Sequence, residues 1–155
     1  MSSFKTLLFA TDFSEGSIKA ARVARELAEL GQAKLYVVNV VALLRDSYSW
    51  NSVLLAASVS TEELDNDIIK VTRESLEEFT EQHLKPGADA HYSIETRVLT
   101  GASVHDELIN LAQEVGVGTI ILGTHGRSGL NRALVGSVAE QMVRSSPIPV
   151  LTVHG

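Results

Sequence analysis

Residues 117–141, VGTIILGTHGRSGLNRALVGSVAEQ, pass from an apolar run through a glycine-punctuated loop into a segment of helical spacing. Val117–Leu122 (VGTIIL) has the unbroken, β-branched character of a strand buried on both faces. Ser137 to Arg144 reads as a helix. Strand, loop and helix in that order form the unit from which parallel α/β sheets are built. The question for the rest of the chain is whether the unit repeats.

It does. Phe4–Ala10 (FKTLLFA) predicts a buried strand, ended by Thr11-Asp12-Phe13-Ser14, whose polar side chains suit a helix start. Ile18, Ala21, Ala24, Leu27 and Ala28 follow at helical spacing, with Gly31 as the expected terminator. Ala33–Val41 (AKLYVVNVV) predicts the second strand. Residues 42–59 have no clear period, and that length without structure marks a segment that is either functional or mobile. Ser60-Thr61-Glu62-Glu63 is a capping-box signature opening a helix to about Leu84. Tyr92, Ile94, Thr96 and Val98 alternate with polar residues, as on a strand with one wetter face at a sheet edge. Gly101 turns into a helix carrying Val104, Leu108, Leu111 and Ala112, and the quoted stretch follows. Pro147 and Pro149 then introduce a short strand, Val150–Val153, whose prolines only an edge strand tolerates. The order β-α-β-α-β-α-β-α-β, with no repeat or linker, predicts one domain over residues 1–155. It is an α/β domain whose parallel sheet is covered on both faces.

Composition narrows the function classes. The chain has 155 residues, 45% hydrophobic and 21% charged, with 13 basic against 19 acidic side chains and a formal charge of −6. An acidic chain with 5% aromatics is a poor partner for nucleic acid or an anionic membrane. There are no cysteines, which excludes disulfides and thiol chemistry. Thr11 and Asp12 interrupt the N-terminal apolar run, so neither a signal peptide nor a membrane span is expected, and the cytoplasm is the expected location.

In open parallel sheets ligands sit beyond the carboxyl ends of the strands. Two loops there carry suitable chemistry: Ala10–Ser14 and Gly123–Gly136. Between Glu114 and Glu140 the only formal charges are Arg127 and Arg132. Gly123 and Gly126 are free to take positive φ and bring backbone N–H groups close to an anion. Gly136-Ser137 opens a helix whose dipole favours negative charge. The same residues also fit a reading without ligand. Glycines serve strand–helix turns generally, and Ser137-Val138-Ala139-Glu140 is itself a capping box competing for the same N–H groups. His125 fits a loop hydrogen-bonder or a general base. Asp12 fits an N-cap with Glu15 as its partner or a group facing ligand.

Gly123-x2-Gly126-x9-Gly136-Ser137 resembles the G-2x-G-9x-G-[S/T] motif of the universal stress protein family, in its ATP-binding branch. FKTLLFATDFSEGS, IILGTHGRSGL and GSVAEQMVRSSPIPVLTV extend the resemblance over nearly the whole chain. It implies a doubly wound, Rossmann-like sheet of the adenine nucleotide alpha hydrolase type, with five strands in order 3-2-1-4-5. It further implies that Asp12, with the backbone of Ala10 and Thr11, brackets adenine and ribose, and that Val40 contacts the base through its backbone. Gly123 and Gly126 would run along the ribose and phosphates. Gly136, Ser137 and Val138 would hold the β- and γ-phosphates, with Mg²⁺ bridging phosphate oxygens. Arg127 matches a common family residue whose partner, phosphate or solvent, stays open. The family also implies a homodimer through Val150–Val153. Gly118-Thr119 stands where many members have an aspartate, and Ala102 where many have proline; both are local departures. The expected function is a nucleotide-dependent regulatory module with at most slow ATP hydrolysis. A dimeric interaction module that binds no nucleotide and a true hydrolase are the alternatives.

Overall fold

The computed structural model describes residues 4–44, 60–125 and 135–154; the expectations for Tyr48, Trp50, Gly126, Arg127 and Arg132 fall outside those ranges. The elements are β1 (Thr6–Ala10), α1 (Glu15–Gly31), β2 (Lys34–Val41), α2 (Thr61–His83), β3 (Ser93–Thr100), α3 (Val104–Glu114), β4 (Thr119–Gly123), α4 (Ser137–Ser145) and β5 (Val150–Val153). Every pairing is parallel, in the order β3-β2-β1-β4-β5. Both the fold class and the strand order expected from the sequence are found.

Alternation along the strands explains the two helical layers. Leu7, Phe9, Leu35, Val37 and Ile121 point to one face, under Ala20, Ala21, Ala24 and Ala28 of α1 and Leu76 and Phe79 of α2. Leu8, Tyr36, Val38, Ile120 and Leu122 point to the other, under Leu108, Leu111 and Ala112 of α3 and Ala139 and Met142 of α4. Each large apolar side chain so buried contributes about 1.5–3 kcal/mol. The alanine face of α1 lets that helix lie close to the sheet. At its start, a Cβ on Gly16 would come 2.6 Å from the His125 carbonyl oxygen.

Three local expectations are corrected. The N-cap of α1 is Ser14, which accepts from Ser17 N–H, so Asp12 is not the cap. Gly31 is the last residue of α1, and the left-handed position is Gln32, at φ 46°. Glycine is needed at 31 for proximity, because a Cβ there would lie 2.5 Å from the Phe4 carbonyl oxygen. Finally, β1 begins at Thr6 and not Phe4. The capping signature at Ser60 does operate: its hydroxyl accepts from Glu63 N–H. The wet face of the β3 edge carries Glu95 between Lys34 and Arg97, whose hydrogen bonds hold its carboxyl below the usual carboxylate range.

Because β1 and β4 are neighbours, the chain leaves the sheet centre in opposite directions on either side of them. The crevice at their carboxyl ends is the switch point where such folds place ligands.

Candidate functional site

A cavity of about 370 Å³ occupies that crevice. Of the residues expected in a site, Ala10, Thr11, Asp12, Val40, Gly123, Gly136, Ser137 and Val138 all line it; Gly126 and Arg127 lie outside the described residues.

The β1 side is a closed net of side-chain bonds. Thr11 N–H continues the sheet by donating to the Val38 carbonyl. Asp12 Oδ1 then accepts from Ser14 N–H and from the Ser17 hydroxyl, each at 3.0 Å, while Asp12 N–H donates back to Ser17 Oγ. Phe13, at φ 65°, turns the chain, with its N–H on Thr11 Oγ1. Asp12 is thereby fixed as the carboxylate of this wall. From β2, Asn39 Nδ2 donates to the Thr11 carbonyl at 2.8 Å. Asn39 and Ser17 also line the cavity and were not singled out from sequence. Asn39 did carry a signal: it is the one polar residue inside the apolar run YVVNVV.

The β4 side is built from backbone. Gly123 ends the strand and does not take a positive φ, contrary to the expectation. Its need for glycine is proximity: an added Cβ would meet Gly16 O at 3.0 Å and Gly16 C at 3.1 Å. Thr124 follows, its N–H on the Val153 carbonyl and its own carbonyl accepting from Gly136 N–H, which ties the start of α4 to the ends of β4 and β5. Gly136 is the N-cap of α4, at φ −59° and ψ 151°, with no side chain to bond the helix. Glu140 N–H, on the Gly136 carbonyl, is the bond that begins the helical pattern. The preceding N–H groups of Ser137, Val138 and Ala139 are those a helix start leaves for an external acceptor. The expected capping box does not form. Ser137 is the first helical residue and not the cap, and Glu140 pairs with Arg144 at 2.7 Å.

Thr124 Oγ1 sits 3.0 Å from His125 Nδ1 and 3.3 Å from His154 Nδ1, with the two rings 5.0 Å apart. One hydroxyl proton serves both contacts, so one ring accepts from Thr124 while the other donates to it. His125 Nε2 is buried with no partner. The hydrogen-bonder reading of His125 therefore describes its contacts in this structure.

A second constellation lies apart from the cavity wall. Ser145 Oγ is 2.9 Å from His105 Nε2, and His105 Nδ1 is 2.9 Å from Asp106 Oδ1, whose carboxyl the imidazole holds low. These are the distances of a serine–histidine–aspartate set. Yet the N–H groups of Ser146 and Ile148 are already bonded to Met142 O and Ser146 Oγ, and Pro147 has none. With no pair of donors for an oxyanion, and Ser145 at the carbonyl end of α4, the set lacks what acyl transfer requires.

Fold and site together define a doubly wound α/β protein whose switch-point cavity joins a fixed carboxylate turn to an open helix start. The profile of the universal stress protein family matches residues 3–154, and the chain belongs to that family. Universal stress protein YxiE of Bacillus subtilis is 33% identical over 153 residues, 97% of this chain and 99% of the relative. Universal stress protein MJ0577 of Methanocaldococcus jannaschii is 28% identical over 154 residues, 97% of this chain and 94% of the relative. Its solved structure superposes with a TM-score of 0.77 at 26% identity, covering 98% of this chain and 96% of the other. A universal stress protein solved in complex with cAMP superposes with a TM-score of 0.57 at 25% identity, covering 99% and 98% of the two chains.

Proposed function

We propose that this universal stress protein binds ATP in the switch-point cavity and works as a nucleotide-dependent regulatory module. One observation carries the reading: a single cavity joins the Asp12 turn and Val40 to the start of α4 at Gly136, Ser137 and Val138. A nucleotide has the matching polarity, with donors and acceptors on base and ribose at one end and negative charge at the other. The cAMP complex of a relative supports an adenine nucleotide as the ligand class. Phosphate oxygens would meet the N–H groups of Ser137 and Val138 and the Ser137 hydroxyl. Among the described residues no group of three or more His, Asp or Glu side chains stands ready for a metal ion, so Mg²⁺ would depend on phosphate oxygens.

Hydrolysis is slow in this reading. No lysine is among the described residues that line the cavity, and the imidazole there, His125, is engaged with Thr124. The homodimer forms through β5, an edge strand of this chain's sheet whose Leu151 is exposed. Among the described residues no helix is long and apolar enough to cross a membrane, which suits work in the cytoplasm. Chromatography of the supernatant after heat-denaturing freshly purified protein tests the reading: released adenine nucleotide is expected. Its absence, together with no ATP-induced rise in melting temperature, would favour the interaction module without nucleotide.

A further inference from the structure

Asn39 is about nine-tenths buried, at 9% exposure, and lines the cavity where β2 and the β1 turn meet. A carbonyl oxygen only accepts hydrogen bonds, so the contact with Thr11 O fixes which end of the Asn39 amide is nitrogen. The other end is therefore an oxygen, an acceptor with no donor for it among the described side-chain contacts of Asn39. Leaving such a group without a partner in a closed site is unfavourable, which gives ligand binding a reason to satisfy it.

We propose that Asn39 Oδ1 reads the ligand's base by accepting from an exocyclic amine, so that the cavity selects adenine over a 6-oxo purine. This rests on the nucleotide reading above and adds a specificity determinant to it. The base belongs at this end because Asn39 adjoins Val40 and Thr11, while the anion-ready N–H groups of α4 are on the other wall. An inosine or guanine base would turn a carbonyl oxygen toward Oδ1, setting two acceptors face to face. A site built for a donor rejects an analogue that lacks it far more strongly than an apolar pocket rejects a change of shape. The Thr11 bond makes Asn39 a positioning residue as well, since it orients the peptide leading into Asp12.

Binding of ATP, ITP, 2′-deoxy-ATP and inorganic tripolyphosphate to the wild type and to Asn39→Ala tests this. The wild type is expected to bind ITP at least about tenfold more weakly than ATP. In Asn39→Ala that ratio should fall to within about twofold, through a loss concentrated on ATP. A purely structural role would weaken ATP and ITP alike and leave the ratio intact, which overturns the proposal. Equal wild-type affinity for ATP and ITP overturns it too. A wild-type loss confined to 2′-deoxy-ATP moves the donor to the ribose and overturns the base assignment. If neither nucleotide nor tripolyphosphate binds, the nucleotide reading itself fails, a distinct result. Should Asn39→Ala not fold, the Asn39 side-chain carbonyl resonance of the wild type decides: it is expected to shift with ATP and not with ITP. The same shift with both, or with neither, overturns the proposal.

Discussion

Around Asp12, four hydrogen bonds join Asp12, Ser14 and Ser17 to one another before any ligand arrives. At Gly136, across the same cavity, the helix starts on a residue with no side chain to bond it. The first end is a rigid shape, its ordering cost met during folding, and such preorganisation serves discrimination between bases. The second is a set of N–H groups aligned with a helix dipole, which favours negative charge of any origin. Side chains specify at one end, and backbone attracts at the other.

The largest effect is expected at the backbone end. Gly136 has φ −59° and ψ 151°, values open to any residue, so Gly136→Val should leave the unliganded fold intact. ATP affinity should nonetheless fall by about two orders of magnitude, the ~3 kcal/mol of two charge-assisted bonds. Titration calorimetry beside a melting curve checks both halves; equal affinity would show that α4 does not hold the phosphates.

Gly16→Ala comes next and acts on stability. The new Cβ would press on the His125 carbonyl at 2.6 Å, forcing α1 away from the β4 loop at a cost of about 1–3 kcal/mol. Denaturant melts should show that loss, with a smaller one for Gly123→Ala, where the nearest atom is at 3.0 Å.

Ser17→Ala removes the hydroxyl that both accepts from and donates to Asp12. Adenosine affinity should fall by about threefold to tenfold, matching one to two ordinary hydrogen bonds, while tripolyphosphate affinity stays unchanged. Equal losses for both ligands would erase the distinction between the two ends.

The smallest effect is a control outside the cavity. Burial pushes the Tyr92 hydroxyl up to about 12, with the Glu29 charge adding to it, and the phenol donates to the Leu84 carbonyl. A folded pKa above the unfolded value means the stabilisation is complete below about pH 10 and lost as pH rises toward 12. Tyr92→Phe should cost about 1 kcal/mol at neutral pH and flatten that alkaline decline, with both ends of the cavity unaffected.

Much of this was legible in the sequence, for identifiable reasons. The apolar runs of β1, β2 and β4 and the prolines before β5 follow from burial and from proline's missing N–H, so elements, class and edge strands could be read directly. Strand order came only with the family motif, because pairing between distant strands leaves no local pattern. Within the site, Gly136 and Ser137 were found because glycine and helix-start chemistry are sequence-local. Asn39 was missed because its partner is a backbone carbonyl 28 positions away. The reasons assigned to Gly31 and Gly123 were wrong in kind: both tolerate ordinary φ and serve close approach, which only the packed neighbours reveal.

The most direct test of the account is calorimetric titration of nucleotide-stripped protein with ATP in Mg²⁺, with adenosine and tripolyphosphate as separate competitors. The account predicts saturable binding at one site per chain, with either fragment displacing ATP. An absence of binding up to millimolar ATP would contradict it, as would binding that only one of the two fragments displaces.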